Sequence, residues 1–140
     1  MLRVAFASTD RSTINQHFGA AEGFVIYALD AERAQLQEVI EFPPETMDGN
    51  ENKLPAKIQS LSGCHAVYCL AAGASAVRQL LAAGVQPIRL DDEEAIDPIL
   101  GQLRSALRDG GIPWVDKVVK QRKAADSSRF DAMLDEGWSE

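Results

Sequence analysis

Two short segments of this chain carry residue types that can do chemistry. The first is Ser8-Thr9-Asp10-Arg11-Ser12-Thr13-Ile14-Asn15-Gln16-His17-Phe18-Gly19. It is too polar to continue the apolar run that precedes it, and it ends with a histidine beside an aromatic and a glycine. Imidazole is a borderline ligand that suits iron, copper or zinc and is neutral enough near pH 7 to coordinate. His17 is one of two histidines in the chain, so the choice of an imidazole ligand is short. Gly19 lets the backbone turn tightly beside it. The same residues also read as an ordinary hydrogen-bonding loop histidine with Phe18 as a core plug, because one histidine defines no coordination geometry.

The second segment is Cys69-Leu70-Ala71-Ala72-Gly73-Ala74-Ser75. A thiolate is a soft ligand for iron or an iron–sulfur cluster. Gly73 and Ser75 open a helix whose free N–H groups favour an anion. Arg78, three residues after Ser75, is placed to reach an anionic ligand there. The plainer readings are a small buried hydrophobe for Cys69, a simple helix cap for Gly73 to Ser75, and a surface salt bridge for Arg78. Ser8, His17 and Asp10 can be drawn as a triad, yet no nucleophile-elbow spacing accompanies them. Nucleotide-loop, zinc-protease and two-carboxylate patterns are also missing, which argues against a hydrolase.

These segments must be positioned by regular elements. Leu2–Ala7 reads as a strand, followed by the polar loop to Gly19. Phe24–Leu29 and Leu36–Phe42 read as an antiparallel pair joined by a turn at residues 30–33. Pro43-Pro44 stops the third strand, and residues 45–52 read as a surface loop. Apolar positions 54, 58 and 61 predict a helix over 53–61. Residues 66–70 form a continuously apolar strand, as expected when both faces are covered. A helix follows from Gly73 to Ala83, then a strand over 87–90 and a helix over 95–107. The order β-β-β-α-β-α-β-α predicts an α/β domain with antiparallel and parallel pairs. If the first and fourth strands are parallel neighbours, the His17 loop and the 69–75 turn meet at a switch point, where open α/β sheets place ligands. Cys64 and His65 then fall at the opposite end of the fourth strand.

Length and composition agree with one domain. The chain has 140 residues, 46% hydrophobic and 25% charged, which suits a globular protein with a real core. A net charge of -7 argues against a nucleic-acid or anionic-membrane binder. No run reaches the ~18 apolar residues of a membrane span. The chain starts directly on a strand without a signal-peptide pattern, so a cytoplasmic location is expected. The spacing of Cys64 and Cys69 matches neither a CxxC pair nor a zinc knuckle. On one strand they would face opposite ways, so free thiols in a reducing compartment are expected. Beyond Trp114 a basic stretch, with Lys117, Lys120, Arg122 and Lys123 against Asp116, carries a local +3. Residues 126–140 hold five acids and one arginine, a local -4, with Phe130, Met133, Leu134 and Trp138 at helical spacing. The expected organisation is a cofactor-binding α/β domain over 1–112 and a helical C-terminal extension over 113–140. The acidic group Asp91, Asp92, Glu93, Glu94 and Asp97 reads as solvated helix surface.

Several stretches together resemble a known family. Val4-Ala5-Phe6-Ala7-Ser8, Gln16-His17-Phe18-Gly19, Ala66-Val67-Tyr68-Cys69, Gly73 to Leu81 and Gly84-Val85-Gln86-Pro87 resemble the NifX-type nitrogenase accessory proteins, grouped with the NafY core and the C-terminal domain of NifB. Residues 129–138 resemble the NifX branch in particular. The resemblance implies a ribonuclease-H-like mixed sheet of about five strands, flanked by helices, without nuclease activity. It implies a carrier that is not an enzyme. Such a carrier binds iron–sulfur precursor clusters of the iron–molybdenum cofactor, takes them from NifB and passes them to the NifE–NifN scaffold. The family's cofactor-binding histidine falls on His17. With the topological reading, the expected cofactor-binding set is His17, Cys69, Ser8, Asp10, Gly19, Gly73, Ser75 and Arg78, with His17 and Cys69 on the metal. Two other classes stay open: a protein-interaction or regulatory module of the assembly machinery that docks through the acidic tail and Trp138, and a small-anion module at the Gly73–Ser75 turn.

Overall fold

The computed structural model describes residues 2–42 and 53–121. The loop expected over 45–52 and the acidic helix expected after residue 126 lie outside the described residues. Among the described residues seven strands form: β1 (Leu2–Ala7), β2 (Thr13–Ile14), β3 (Gly23–Leu29), β4 (Ala34–Glu41), β5 (Ala66–Cys69), β6 (Gln86–Arg89) and β7 (Glu94–Ala95). The helices are α1 (Lys53–Ser60), α2 (Ala74–Ala82), α3 (Ile96–Asp109) and α4 (residues 113–121).

Five strands make one mixed sheet in the order β4-β3-β1-β5-β6. β3 is antiparallel to both β1 and β4, whereas β1–β5 and β5–β6 are parallel. This is the ribonuclease-H-like order and polarity. The central strands are apolar on both faces because both faces are covered. Side-chain alternation sends Ala5, Ala7, Val67 and Cys69 to one core with Ile58, Leu61, Ala76 and Leu80 from the α1–α2 side. It sends Leu2, Val4, Phe6, Ala66 and Tyr68 to the other core, with Ile99, Leu103 and Val115 of α3 and α4.

The edge strand β4 is mostly exposed and carries a bulge. Its register passes from Glu38 opposite Ile26 to Leu36 opposite Tyr27, leaving Gln37 unpaired. Gln37 Oε1 accepts a 2.6 Å bond from Arg3 Nε, so the extra residue is tied to the sheet. The β3–β4 turn closes as its sequence predicts. Asp30 Oδ1 accepts the N–H groups of Glu32 and Arg33 at 2.8 and 2.9 Å. Arg104 and Arg108 of α3 donate to the carbonyls of Glu32 and Ala31 in the same turn, at 2.5 and 2.9 Å.

Two departures from the sequence reading matter. The polar loop after β1 contains β2, which pairs with β7 in a separate two-stranded ribbon. Of the acidic run, only Asp97 is therefore helix surface. Asp91, Asp92 and Glu93 precede that ribbon, Glu94 lies in it, and Asp97 opens α3. Cys64 lies in the turn before β5 rather than on the strand, so it faces the same core as Cys69, and both thiols are free.

Candidate functional site

The chain leaves β1 toward β3 on one side and leaves β5 toward β6 on the other, so the neighbouring carboxyl ends of β1 and β5 form a switch point. The loop from β1 and the turn from β5 are joined there. Leu70 N–H donates to Gln16 O at 2.9 Å, and Phe18 N–H donates to Ala71 O at 2.7 Å. His17 sits between these two bonds. Its neighbours are fixed, while its own side chain is exposed. Gln16 Oε1 also accepts Glu22 N–H at 2.8 Å. The Phe18 ring is fully buried, with its centroid 5.4 Å from that of Phe24. Burial of a phenylalanine stabilises by about 1.5–3 kcal/mol, which is enough to hold the loop down.

The start of the loop is a self-bonded polar turn. Asp10 Oδ1 accepts Ser12 N–H at 2.9 Å and Thr13 N–H at 2.8 Å, and its Oδ2 accepts Thr13 Oγ1 at 2.8 Å. These bonds to the charged carboxylate lower the Asp10 pKa from 3.8 to about 2. Ser8 Oγ donates to Asp10 Oδ1 at 3.1 Å and accepts Arg11 N–H at 2.9 Å. That contact supports a left-handed Arg11, whose φ is 66°. Asn15 and Thr9 exchange two further bonds at 3.0 and 2.8 Å.

The expected site set therefore divides. His17, Gly19, Gly73, Ser75 and Arg78 are exposed. The backbone bonds draw the His17 loop onto the segment leading to α2. Gly73 is the N-cap of α2, in extended geometry and with no side-chain cap. Ser75 Oγ accepts Gln79 Nε2 at 3.0 Å rather than capping the helix. Gly19 has open space where a Cβ would stand and no positive φ, so no tight turn requires it.

Ser8 and Asp10 shape the loop, through the bond between them and through bonds to Arg11, Ser12 and Thr13. Cys69 is placed differently from His17. Its side chain is 0% exposed inside the α1–α2 core. Desolvation raises its pKa to about 11, against the smaller opposing effects of the Ala71 N–H and the Arg89 charge. A neutral, enclosed thiol on the inner side of the sheet is not presented beside His17. Among the described residues, no three His, Cys, Asp or Glu side chains gather to hold a metal ion.

Two residues at this edge were not singled out from sequence. Arg89 lies opposite Cys69 in the β5–β6 register and is exposed. Lys57 is only 4% exposed, and its Nζ donates to Gly19 O at 2.7 Å. Its position was legible, since residue 57 falls within the 54, 58, 61 apolar stripe of α1. A cleft of about 210 Å³ lies on the β4 side of the loop, lined by residues that include Arg11, Gly23 and Phe42 but not His17.

A family profile described as dinitrogenase iron-molybdenum cofactor matches residues 1–106. The chain belongs to that family. It is 49% identical over 140 residues to Protein NifX of Azotobacter vinelandii, covering 100% of this chain and 89% of that protein. It is 33% identical over 136 residues to Protein NifX of Klebsiella pneumoniae, covering 96% and 82%. The crystal structure of PH0822 aligns with a TM-score of 0.59 at 24% identity, covering 75% of this chain and 90% of that one, a likeness of fold. The span shared with the dinitrogenase iron–molybdenum cofactor family includes the His17 loop, the β5–α2 turn and the β2–β7 ribbon, and it ends before α4.

Proposed function

We propose that this protein binds, stores and hands over iron–sulfur precursor clusters during assembly of the iron–molybdenum cofactor. Family membership supports a role in nitrogenase cofactor biosynthesis. The observation that carries the finer reading is the exposed His17, held between two backbone bonds at the switch point of the sheet. One imidazole offers the cargo a single bond and leaves its other coordination positions open to an acceptor. That suits transfer, since a resident cluster normally takes about four protein ligands. The cargo is anionic, and the protein's net charge of -7 opposes its capture overall. The uncapped N–H groups at the start of α2, with Arg78 and Arg89, provide local compensation. In this reading NifB supplies the cluster, the NifE–NifN scaffold receives it, the work is done in the cytoplasm, and the protein is a carrier rather than an enzyme.

The test is anaerobic mixing of the purified protein with the extracted precursor cluster, followed by iron co-elution and charge-transfer absorbance. His17→Ala is expected to weaken binding by about tenfold or more, since losing even an outer-shell partner of a metal ligand costs that much. Unchanged binding removes His17 from the site. Deleting residues 126–140 separates carriage from docking. A carrier keeps its cluster and loses delivery, whereas a docking module loses its main activity and shows no cluster binding at all.

A further inference from the structure

Lysine is rarely buried without a partner, because taking an ammonium out of water is costly. Lys57 is 4% exposed on α1. An apolar side chain of similar volume would fill the same space without that cost. What lysine adds here is a donor. Its Nζ gives Gly19 O a 2.7 Å charge-assisted bond. It also lies 5.6 Å from the centroid of the Phe42 ring, within cation–π range. Phe42 packs edge-on to Phe24, and Phe24 packs on Phe18. Lys57 thus touches the His-Phe-Gly segment twice, directly at the Gly19 carbonyl and indirectly through the aromatic chain that seats Phe18.

We propose that Lys57 is a positioning residue for His17. It fixes the Gly19 peptide from inside the core and so restricts the orientations in which the exposed imidazole meets its cargo. The Gln16 and Phe18 backbone bonds tie the segment to the β5–α2 turn. The Lys57 bond ties its other end to α1. A segment held at both ends presents its side chain with little ordering left to do on binding. The inference rests on the carriage reading for its consequence, but the loop anchoring stands apart from it.

The experiment compares wild type, Lys57→Met, Lys57→Arg and the His17→Ala, Lys57→Met double variant. Each is assayed for binding of the extracted precursor cluster, for thermal melting, and for amide exchange at Phe18 and Leu70. Lys57→Met keeps the volume and removes the donor. It is expected to weaken cluster binding about tenfold and to speed exchange at Phe18 and Leu70 by a similar factor, with β1 amides still protected. Lys57→Arg restores both. In the His17→Ala background Lys57→Met brings no further loss, as a residue acting through His17 requires. Wild-type binding and loop protection in Lys57→Met overturn the proposal. So does an equal loss of protection in β1 and the loop, which makes Lys57 general packing, and so does an additive loss in the double variant. If wild type itself binds no cluster, the carriage reading fails, and amide exchange alone decides whether Lys57 anchors the loop.

Discussion

At the scale of single residues, exposure separates His17 from Cys69 more sharply than ligand chemistry does. Both are good donors for iron, and both lie at the carboxyl edge of neighbouring parallel strands. Alternation along β5 turns Cys69 into the α1–α2 core, where burial keeps its thiol neutral with a pKa of about 11. Cys64 is also buried and is raised to about 11. Neither thiol is therefore expected to react with iodoacetamide at pH 8 in the folded protein, and both should react in denaturant; mass spectrometry after native labelling checks this. Rapid native labelling of Cys69 would return it to the site. Cys69→Ala should leave cluster binding unchanged and cost about 1 kcal/mol of stability, as the loss of one buried small group does. Asp10 gives a pH signature of the opposite kind. Its folded pKa is depressed, so its contribution to loop order is full above the ordinary value of 3.8 and is lost as pH falls through about 2. The amide resonances of Ser12 and Thr13 should shift together over that window, and Asp10→Asn should abolish the shift.

At the scale of elements, the loop depends on the strand that follows it. Ser8 N–H donates to Gly23 O at 3.2 Å, which joins the end of β1 to the start of β3. A Cβ on Gly23 would lie 2.7 Å from Ile40 O in the paired strand β4. That contact is with backbone, which cannot swing aside. Gly23→Ala is therefore expected to destabilise the protein by about 1–3 kcal/mol, the usual range for overpacking. A urea midpoint lowered by that amount, with faster exchange at the Ser8 amide, is the expected result; an unchanged midpoint would show that β4 yields freely at its end. The element boundaries were largely legible because β1 and β5 are short, apolar and bounded by polar or glycine-containing segments. The β2–β7 ribbon was not legible. Each of its strands has two residues, too few to show a period, and the pairing joins residues about eighty positions apart.

At the scale of the whole molecule, α4 belongs to the core that covers the second face of the sheet. Val115 is fully buried there, and the Trp114 ring packs edge-on to Tyr68 at 6.5 Å. Ending the chain after Ile112 should cost about 3 kcal/mol or more, from the lost burial of these two side chains. Thermal melting monitored by near-UV circular dichroism checks this; an unaltered melt would set α4 apart from the folded core. By itself the sequence determined the order of the five strands of the main sheet and of the helices between them, the antiparallel meander and the histidine loop, because those follow from local periodicity and local polarity. It also carried the family likeness, through motifs spread along most of the chain. Only the tertiary structure decided which donors face outward. Whether Cys69 points to ligand or to core depends on what packs over β5. The buried charge of Lys57 acquires meaning from a carbonyl thirty-eight residues away. The His17 loop stands where it does because bonds from the β5–α2 turn, α1 and β3 meet around it, and no local stretch of sequence contains all three.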